Sequence, residues 1–194
     1  MIASPMSTEA FNVLDRLIAG MRLVRVEKYI ENGDRVLDFG CGSQGYFLRK
    51  IADKIGYGLG IDLEINPKKS KNLEFKKQDK NIWNELKLNS FNKVVMLAVL
   101  EHIDLDKVSD LFAQFRRVLK TGGFLVMTTP TPPSKPMLEF MAKIGLIDKA
   151  QIDDHKKYYE RKDVVKLAKE TGFKMVSYKL FQFGLNSEIV FEKV

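Results

Sequence analysis

The stretch Val36–Gly45, VLDFGCGSQG, decides how this chain is read. The apolar run at its start reads as a short buried strand. It passes directly into Gly40, Gly42 and Gly45, which stand at G-x-G-x-x-G spacing. Glycines after a strand let the backbone turn tightly and approach a ligand, and the usual occupant of such a turn is a dinucleotide pyrophosphate. Asp38, two residues before the first glycine, does not suit that occupant. A carboxylate there repels a pyrophosphate and favours a ligand carrying a cation.

The chain around this stretch alternates between two hydrophobic periods. Residues 8–31 carry apolar positions near 3.6 spacing and predict a helix. RVLDF (35–39) predicts the first strand, YFLRKIADK (46–54) a helix stopped by Gly56, and YGLGID (57–62) a second strand. LEFKKQD (73–79) predicts a third strand, followed by a short helix around residues 82–86. NKVVMLAVL (92–100) predicts a fourth strand, continuously apolar as expected of a strand covered on both faces. An amphipathic helix over 105–120 ends at Thr-Gly-Gly, and FLVMTTP (124–130) is the fifth strand. Residues 131–157 read as irregular, 161–173 as a helix closed by Gly172, and the last two apolar segments as an antiparallel hairpin. Such alternation argues a doubly wound, mostly parallel α/β sheet, whose ligands bind at the carboxyl ends of the strands.

Three of those ends carry a carboxylate: Asp38, Asp62 and Asp79. Asp62 can accept both hydroxyls of a ribose, and Asp79 can accept from an adenine amino group. Asp38 suits an ammonium. A nucleoside with an ammonium tail and no phosphate meets all three, and S-adenosylmethionine (SAM) is such a molecule. NAD shares the ribose requirement but conflicts with Asp38.

With these residues in view the chain resembles the class I SAM-dependent methyltransferases. VLDFGCGSQGYF is similar to that family's first motif, GLGIDLE to its second, FKKQDKNIW to its third and FNKVVMLAVLEHI to its fourth. FRRVLKTGGFLVMTTP is similar to its helix, Gly-Gly turn and fifth strand. The resemblance is strong over residues 30–130. It implies a seven-stranded Rossmann-like sheet ending in an antiparallel hairpin, with SAM as cofactor. It also implies a cofactor set of Asp38, Gly40, Gly42, Asp62, Leu63, Asp79, Lys80 and Leu97, the last through its backbone. In the family the third glycine usually follows the second by two residues. Here Gln44 intervenes, so Gly45 is open to a second reading, helix–strand packing. Cys41 reads as a small buried side chain in the turn.

Methyl transfer from a sulfonium needs alignment, exclusion of water and, for a hydroxyl acceptor, removal of a proton. His102, after the fourth strand, and His155, in DDHKKYY before the helix that leads to Gly172-Phe173, are the candidate general bases. A local structural role is the other reading of His102, and a lid or substrate-facing role suits His155. Glu101 and His102 also resemble the second Glu and the His of the Glu-x-x-Glu-His segment that binds a divalent ion in small-RNA 2′-O-methyltransferases and some quinone-pathway O-methyltransferases. Ala98 replaces the first Glu, so no metal site is expected, although His155 is a distant third candidate ligand.

The bulk properties narrow the setting. A chain of 194 residues suits one domain, with the N-terminal helix (1–31) and residues 131–158 expected to cover the acceptor. No apolar run is long enough for a membrane span, no signal peptide is apparent, and the single cysteine fits a reducing, cytoplasmic setting. The net charge of +7 admits a nucleic-acid acceptor. Its lysines are scattered, however, and a small-molecule acceptor is the favoured expectation. PMLEFMAKIGLI (136–147) reads as a helix over the core, a lid, or a patch that touches a membrane surface. A SAM-binding scaffold without catalysis is the remaining alternative.

Overall fold

The computed structural model describes residues 13–144 and 152–194. Its centre is an eight-stranded sheet. The strands are β1 (Arg35–Phe39), β2 (Tyr57–Asp62), β3 (Lys68–Ser70), β4 (Leu73–Lys77), β5 (Phe91–Leu97), β6 (Leu119–Pro130), β7 (Phe173–Phe181) and β8 (Asn186–Lys193). Their spatial order is β3-β4-β2-β1-β5-β6-β8-β7. β4, β2, β1, β5 and β6 run parallel, while β8 is antiparallel to both β6 and β7. The chain winds outward from β1 to β4 and then returns to β5 on the other side of β1. The carboxyl ends of β1 and β5 therefore flank the switch in strand order, where open α/β sheets bind ligands.

Both faces of the sheet are covered, which explains the unbroken apolar runs of its central strands. Val36, Val95, Val126 and Val190 pack on one face with Leu23, Val26, Phe47 and Leu48. Their strand neighbours Leu37, Met96, Met127 and Phe191 pack on the other with Phe112, Phe115 and Leu167. Each such side chain, fully buried, contributes roughly 1.5–3 kcal/mol. The first face is covered by α1 (Val13–Glu27) and α2 (Tyr46–Lys50). The second is covered by α3 (Ile82–Glu85), α4 (Leu105–Val118) and α6 (Arg161–Thr171). A further helix, α5 (Lys135–Lys143), lies within the segment expected to be irregular. The α6 helix starts in a capping box between Glu160 and Asp163 and ends at Gly172 with φ +73°.

The sheet has one strand more than expected. β3 is three exposed residues, Lys-Lys-Ser, that pair antiparallel with the edge of β4. It buries no side chain, so hydrophobic periodicity gives no sign of it. The expected ends also move inward. α2 stops at Lys50 and continues as turns, and β4 stops at Lys77. β5 stops at Leu97 because Ala98 turns left-handed, at φ +53°. β6 begins at Leu119, ahead of the Gly-Gly turn, by pairing with Phe91 before the register shifts. The first helix begins at Val13 among the described residues, and residues 8–12 of its expected span lie outside them.

α1 is anchored to the far strand β8 by a buried charge. The Glu188 carboxylate is fully buried and accepts from Lys28 Nζ at 2.8 Å and from the Tyr29 hydroxyl at 2.5 Å, with Arg25 at 3.8 Å. This brings the C-terminal half of α1 alongside the carboxyl end of β6, where Arg22 reaches Asn186 Oδ1 at 3.4 Å.

Candidate active site

The strand ends build the site in two halves. At the β1 end, Asp38 is 2% exposed and its Oδ2 has no hydrogen-bond partner among the described residues. Burial, reinforced by the Asp62 carboxylate, pushes Asp38 from 3.8 up to about 8. An orphaned, buried carboxylate oxygen at a strand end fits a cationic group that arrives with a ligand.

The glycine turn follows directly. Gly40 N–H and Cys41 N–H both donate to Ile61 O, at 2.8 and 3.2 Å. This ties the turn to β2. A Cβ on Gly40 would meet Val99 Cγ2 at 2.3 Å, and its φ of +75° excludes most side chains, so this glycine is fixed by both space and backbone. Around Gly42 the space that a Cβ would occupy is open. Gly42 N–H donates to Asp62 Oδ2 at 2.8 Å, and Glu64 N–H to Asp62 Oδ1 at 2.9 Å. Asp62 is thus oriented by two backbone donors, with one lone pair per oxygen still free for a diol.

The other members of the implied cofactor set fall around this turn. Leu63 follows Asp62 with its side chain 65% exposed. Asp79 stands two residues beyond β4, exposed, with Oδ1 accepting Asn81 N–H at 2.8 Å as α3 begins. Lys80 beside it is exposed. Leu97 closes β5 and is half-buried. The structure brings Asp38, the glycine turn and Asp62 into direct contact or charge range, whereas Asp79 and Lys80 sit on a neighbouring loop. Gly45 takes its packing reading: φ is +57°, and a Cβ would meet the Phe75 ring at 2.2 Å. Cys41 is held as a thiol, because burial and the Asp38 and Asp62 charges all push its ionisation up. Ile82 is buried, and Trp83 stacks on Phe39 at 5.7 Å, so both belong to the core.

The second half lies beyond β5 and β6. Glu101, in a 3₁₀ turn over Leu100–His102, is 1% exposed and accepts from Thr129 Oγ1 at 3.1 Å. Burial pushes its carboxyl up, opposed by the nearby Arg22 charge. His102 Nδ1 lies 3.1 Å from Asp154 Oδ2, and His155 Nδ1 lies 2.9 Å from the Tyr158 hydroxyl. The two imidazoles meet edge to face at 4.7 Å. Lys156 N–H donates to Glu101 O at 2.7 Å, which locks the 154–158 segment across the 3₁₀ turn. Burial first, then the His102 and Arg22 charges, lower His155 to about 4, so it is neutral near pH 7. His102 therefore does not cap α4 but bonds 52 residues away. Thr129, Asp154 and Tyr158 are neighbours that the sequence does not single out by number, although Asp154 and Tyr158 lie in the quoted DDHKKYY segment. The i, i+3 spacing of His155 and Tyr158 was their one visible signal.

With this geometry in place, the comparisons are specific. A family profile described as a methyltransferase domain matches residues 9–178, and the chain belongs to that family. No curated protein matches the sequence. Among solved structures, the chain is similar to a SAM-dependent methyltransferase from Archaeoglobus fulgidus. Identity is 17%, 92% of this chain and 94% of that chain are covered, and the TM-score is 0.71. It is also similar to a chain of the complex between the Haloferax volcanii Trm112 methyltransferase activator and the putative methyltransferase (16% identity, 93% and 95% covered, TM-score 0.68). A third is geranyl diphosphate C-methyltransferase from Streptomyces coelicolor A3(2), solved with Mg²⁺, geranyl diphosphate and S-adenosyl-L-homocysteine (13% identity, 93% and 81% covered, TM-score 0.65). At these identities the likeness speaks for the fold. The family match over most of the chain and the sheet order together make this a class I SAM-dependent methyltransferase, an enzyme that uses SAM as its methyl donor.

Proposed function

We propose that this enzyme methylates an oxygen, nitrogen or carbon atom of a small-molecule acceptor, bound between the donor half of the site and the Glu101–His102–His155 half. The observation that carries the reading is the orphaned Oδ2 of Asp38, buried beside Asp62. Asp38 holds the ammonium of SAM, Asp62 its ribose hydroxyls, and the Gly40–Gly42 turn the space between. Asp79, Lys80, Leu63 and the Leu97 backbone complete the adenosine end. The donor supplies an activated methyl on a positively charged sulfur. The acceptor atom forms its new bond to carbon as the carbon–sulfur bond breaks and its electron pair stays on sulfur. Where the acceptor is a hydroxyl, its proton goes to His155 Nε2, left available when Nδ1–H donates to the Tyr158 oxygen.

The covering elements fit this division. Arg22 on α1 acts electrostatically on both Glu101 and His155, and Glu139 on α5 acts on Tyr158. α1, α5 and residues 152–158 thus stand around the proposed acceptor half. Met137 and Phe140 on α5 and Ile144 just beyond its end leave an apolar stripe exposed. We read that stripe as a wall for an apolar acceptor. The nucleic-acid alternative rests on net charge. Many described lysines on separate elements, Lys28, Lys50, Lys76, Lys107, Lys156 and Lys166 among them, are paired with carboxylates, which disfavours one continuous basic track. The test is transfer of labelled methyl from SAM to separated small-molecule and RNA fractions. Label in the small-molecule fraction is expected. In the same assay His155→Ala lowers turnover at least about 100-fold, the scale of a lost general base, with SAM affinity unchanged. Label confined to RNA overturns the small-molecule assignment, and a fully active His155→Ala chain overturns His155 as the base.

A further inference from the structure

Three metal-ligating side chains converge in the acceptor half. One donor atom each from Glu101, His102 and His155 lies within 4.8 Å of the other two. We propose that these three residues form a binding site for a divalent transition ion of the zinc class. The inference rests on the reading of this half as the acceptor end, and it goes beyond it by assigning the site a metal.

Four features carry it. The donor set, two imidazoles and one carboxylate, matches the ligands of open, catalytic-type zinc sites, which leave a position for water or substrate. Each imidazole already has its Nδ1 engaged by a second residue. The Asp154 carboxylate can only accept, so at His102 it is Nδ1 that carries the proton and Nε2 that offers the lone pair. At His155, the Tyr158 hydroxyl lies 2.9 Å from Nδ1 and, when it accepts from Nδ1–H, leaves the Nε2 lone pair for an ion. A carboxylate or hydroxyl behind each imidazole is the arrangement that fixes tautomer and ring direction for a metal. Third, Glu101 is buried, with Thr129 donating to one of its oxygens, so the carboxylate is oriented before any ion arrives. Fourth, the Lys156–Glu101 backbone bond clamps the loop of His155 onto the turn of His102, so the ligands belong to one rigid unit.

The separation of up to 4.8 Å exceeds the roughly 3.3–3.5 Å between ligands of a tetrahedral zinc with bonds of about 2.0–2.2 Å. Closing it takes about 1.3–1.5 Å of side-chain movement, within the reach of a rotamer adjustment. Arg22 carries a like charge near Glu101 and His155, which opposes an ion and sets the affinity below that of closed structural sites. With the ion present, the imidazoles act as ligands. An acceptor hydroxyl would take the open position, where its proton is more easily lost to a solvent water. The missing carboxylate at Ala98, which argues against a metal from the sequence, is compensated by His155, 57 residues further on.

The test uses the full chain, stripped with chelator and titrated with Zn²⁺ alone by calorimetry, and with Co²⁺ alone by visible absorption. One equivalent of Zn²⁺ and a tetrahedral or five-coordinate cobalt spectrum are expected. His102→Ala combined with His155→Ala lowers Zn²⁺ affinity at least about 100-fold. Asp154→Asn, which leaves all three ligands in place, lowers it by about 10-fold to 100-fold. Retained SAM binding shows that each variant is folded. Absence of stoichiometric binding, or unchanged affinity in the double variant, overturns the metal site. If the chelated chain methylates its acceptor at full rate and His155→Ala still stops it, the metal inference fails while the general-base reading stands. If SAM itself does not bind, both fall.

Discussion

Asp38 is the residue on which the chemistry and the stability of this chain pull apart. Its folded ionisation is raised to about 8 from 3.8. The folded protein therefore keeps a proton that the unfolded chain has released. The resulting stability is fully present below pH 4 and is lost as pH rises through about 8. A cationic ligand reverses the preference, because the ammonium favours the carboxylate. SAM binding below pH 8 should release a proton, and affinity should rise by up to about tenfold per pH unit between pH 6 and 8. Asp38→Asn should flatten that dependence and weaken SAM binding by ~1–3 kcal/mol, while making the ligand-free chain more stable above pH 8. Calorimetry across pH and urea titrations of the two chains check both halves. Ala98 is the second residue of interest. Its φ of +53° is paid for in backbone strain beside the site, and Ala98→Gly should raise stability by up to about 1 kcal/mol in a urea titration.

At the scale of elements, strands with one strong hydrophobic period were legible and elements held by other forces were not. β1 and β2 stand at their expected residues because apolar runs met a charge or glycine at each end. β3 was invisible because its pairing rests on backbone bonds and an exposed Lys69–Glu74 ion pair, with no apolar side chain. The early end of β5 was hidden because nothing in Leu97-Ala98-Val99 announces a left-handed alanine. α5 matches the helix reading of residues 136–147; Pro136 sits in its first turn, where a missing N–H costs nothing. The donor half was legible because its residues lie at strand ends on consecutive motifs. In the other half, Glu101, His102 and His155 were legible as candidates, but their partners were not, since Glu101 meets Thr129 and His102 meets Asp154 across 28 and 52 residues. α1 is placed by a contact equally remote in sequence, Lys28 and Tyr29 on Glu188. Glu188→Gln should cost about 1.5–3 kcal/mol, the worth of charge-assisted hydrogen bonds, read as a shift of the urea midpoint.

For the molecule as a whole, the sheet order makes one site out of distant parts. The return of the chain from β4 to β5 opens the crevice beside β1. The antiparallel insertion of β8 between β6 and β7 carries Asn186 and Glu188 to where α1 can cover the acceptor half. No described helix is long and apolar enough to cross a membrane. The central claim is that the G-x-G-x-x-G turn serves an ammonium-bearing nucleoside and not a dinucleotide. It is tested most directly by calorimetric titration of the full chain with SAM, S-adenosylhomocysteine and NAD. Binding of SAM and S-adenosylhomocysteine at one site per chain, both weakened by Asp38→Asn and neither displaced by NAD, is the predicted result. Binding of NAD alone would show that the glycine spacing outweighs Asp38 and would contradict the account.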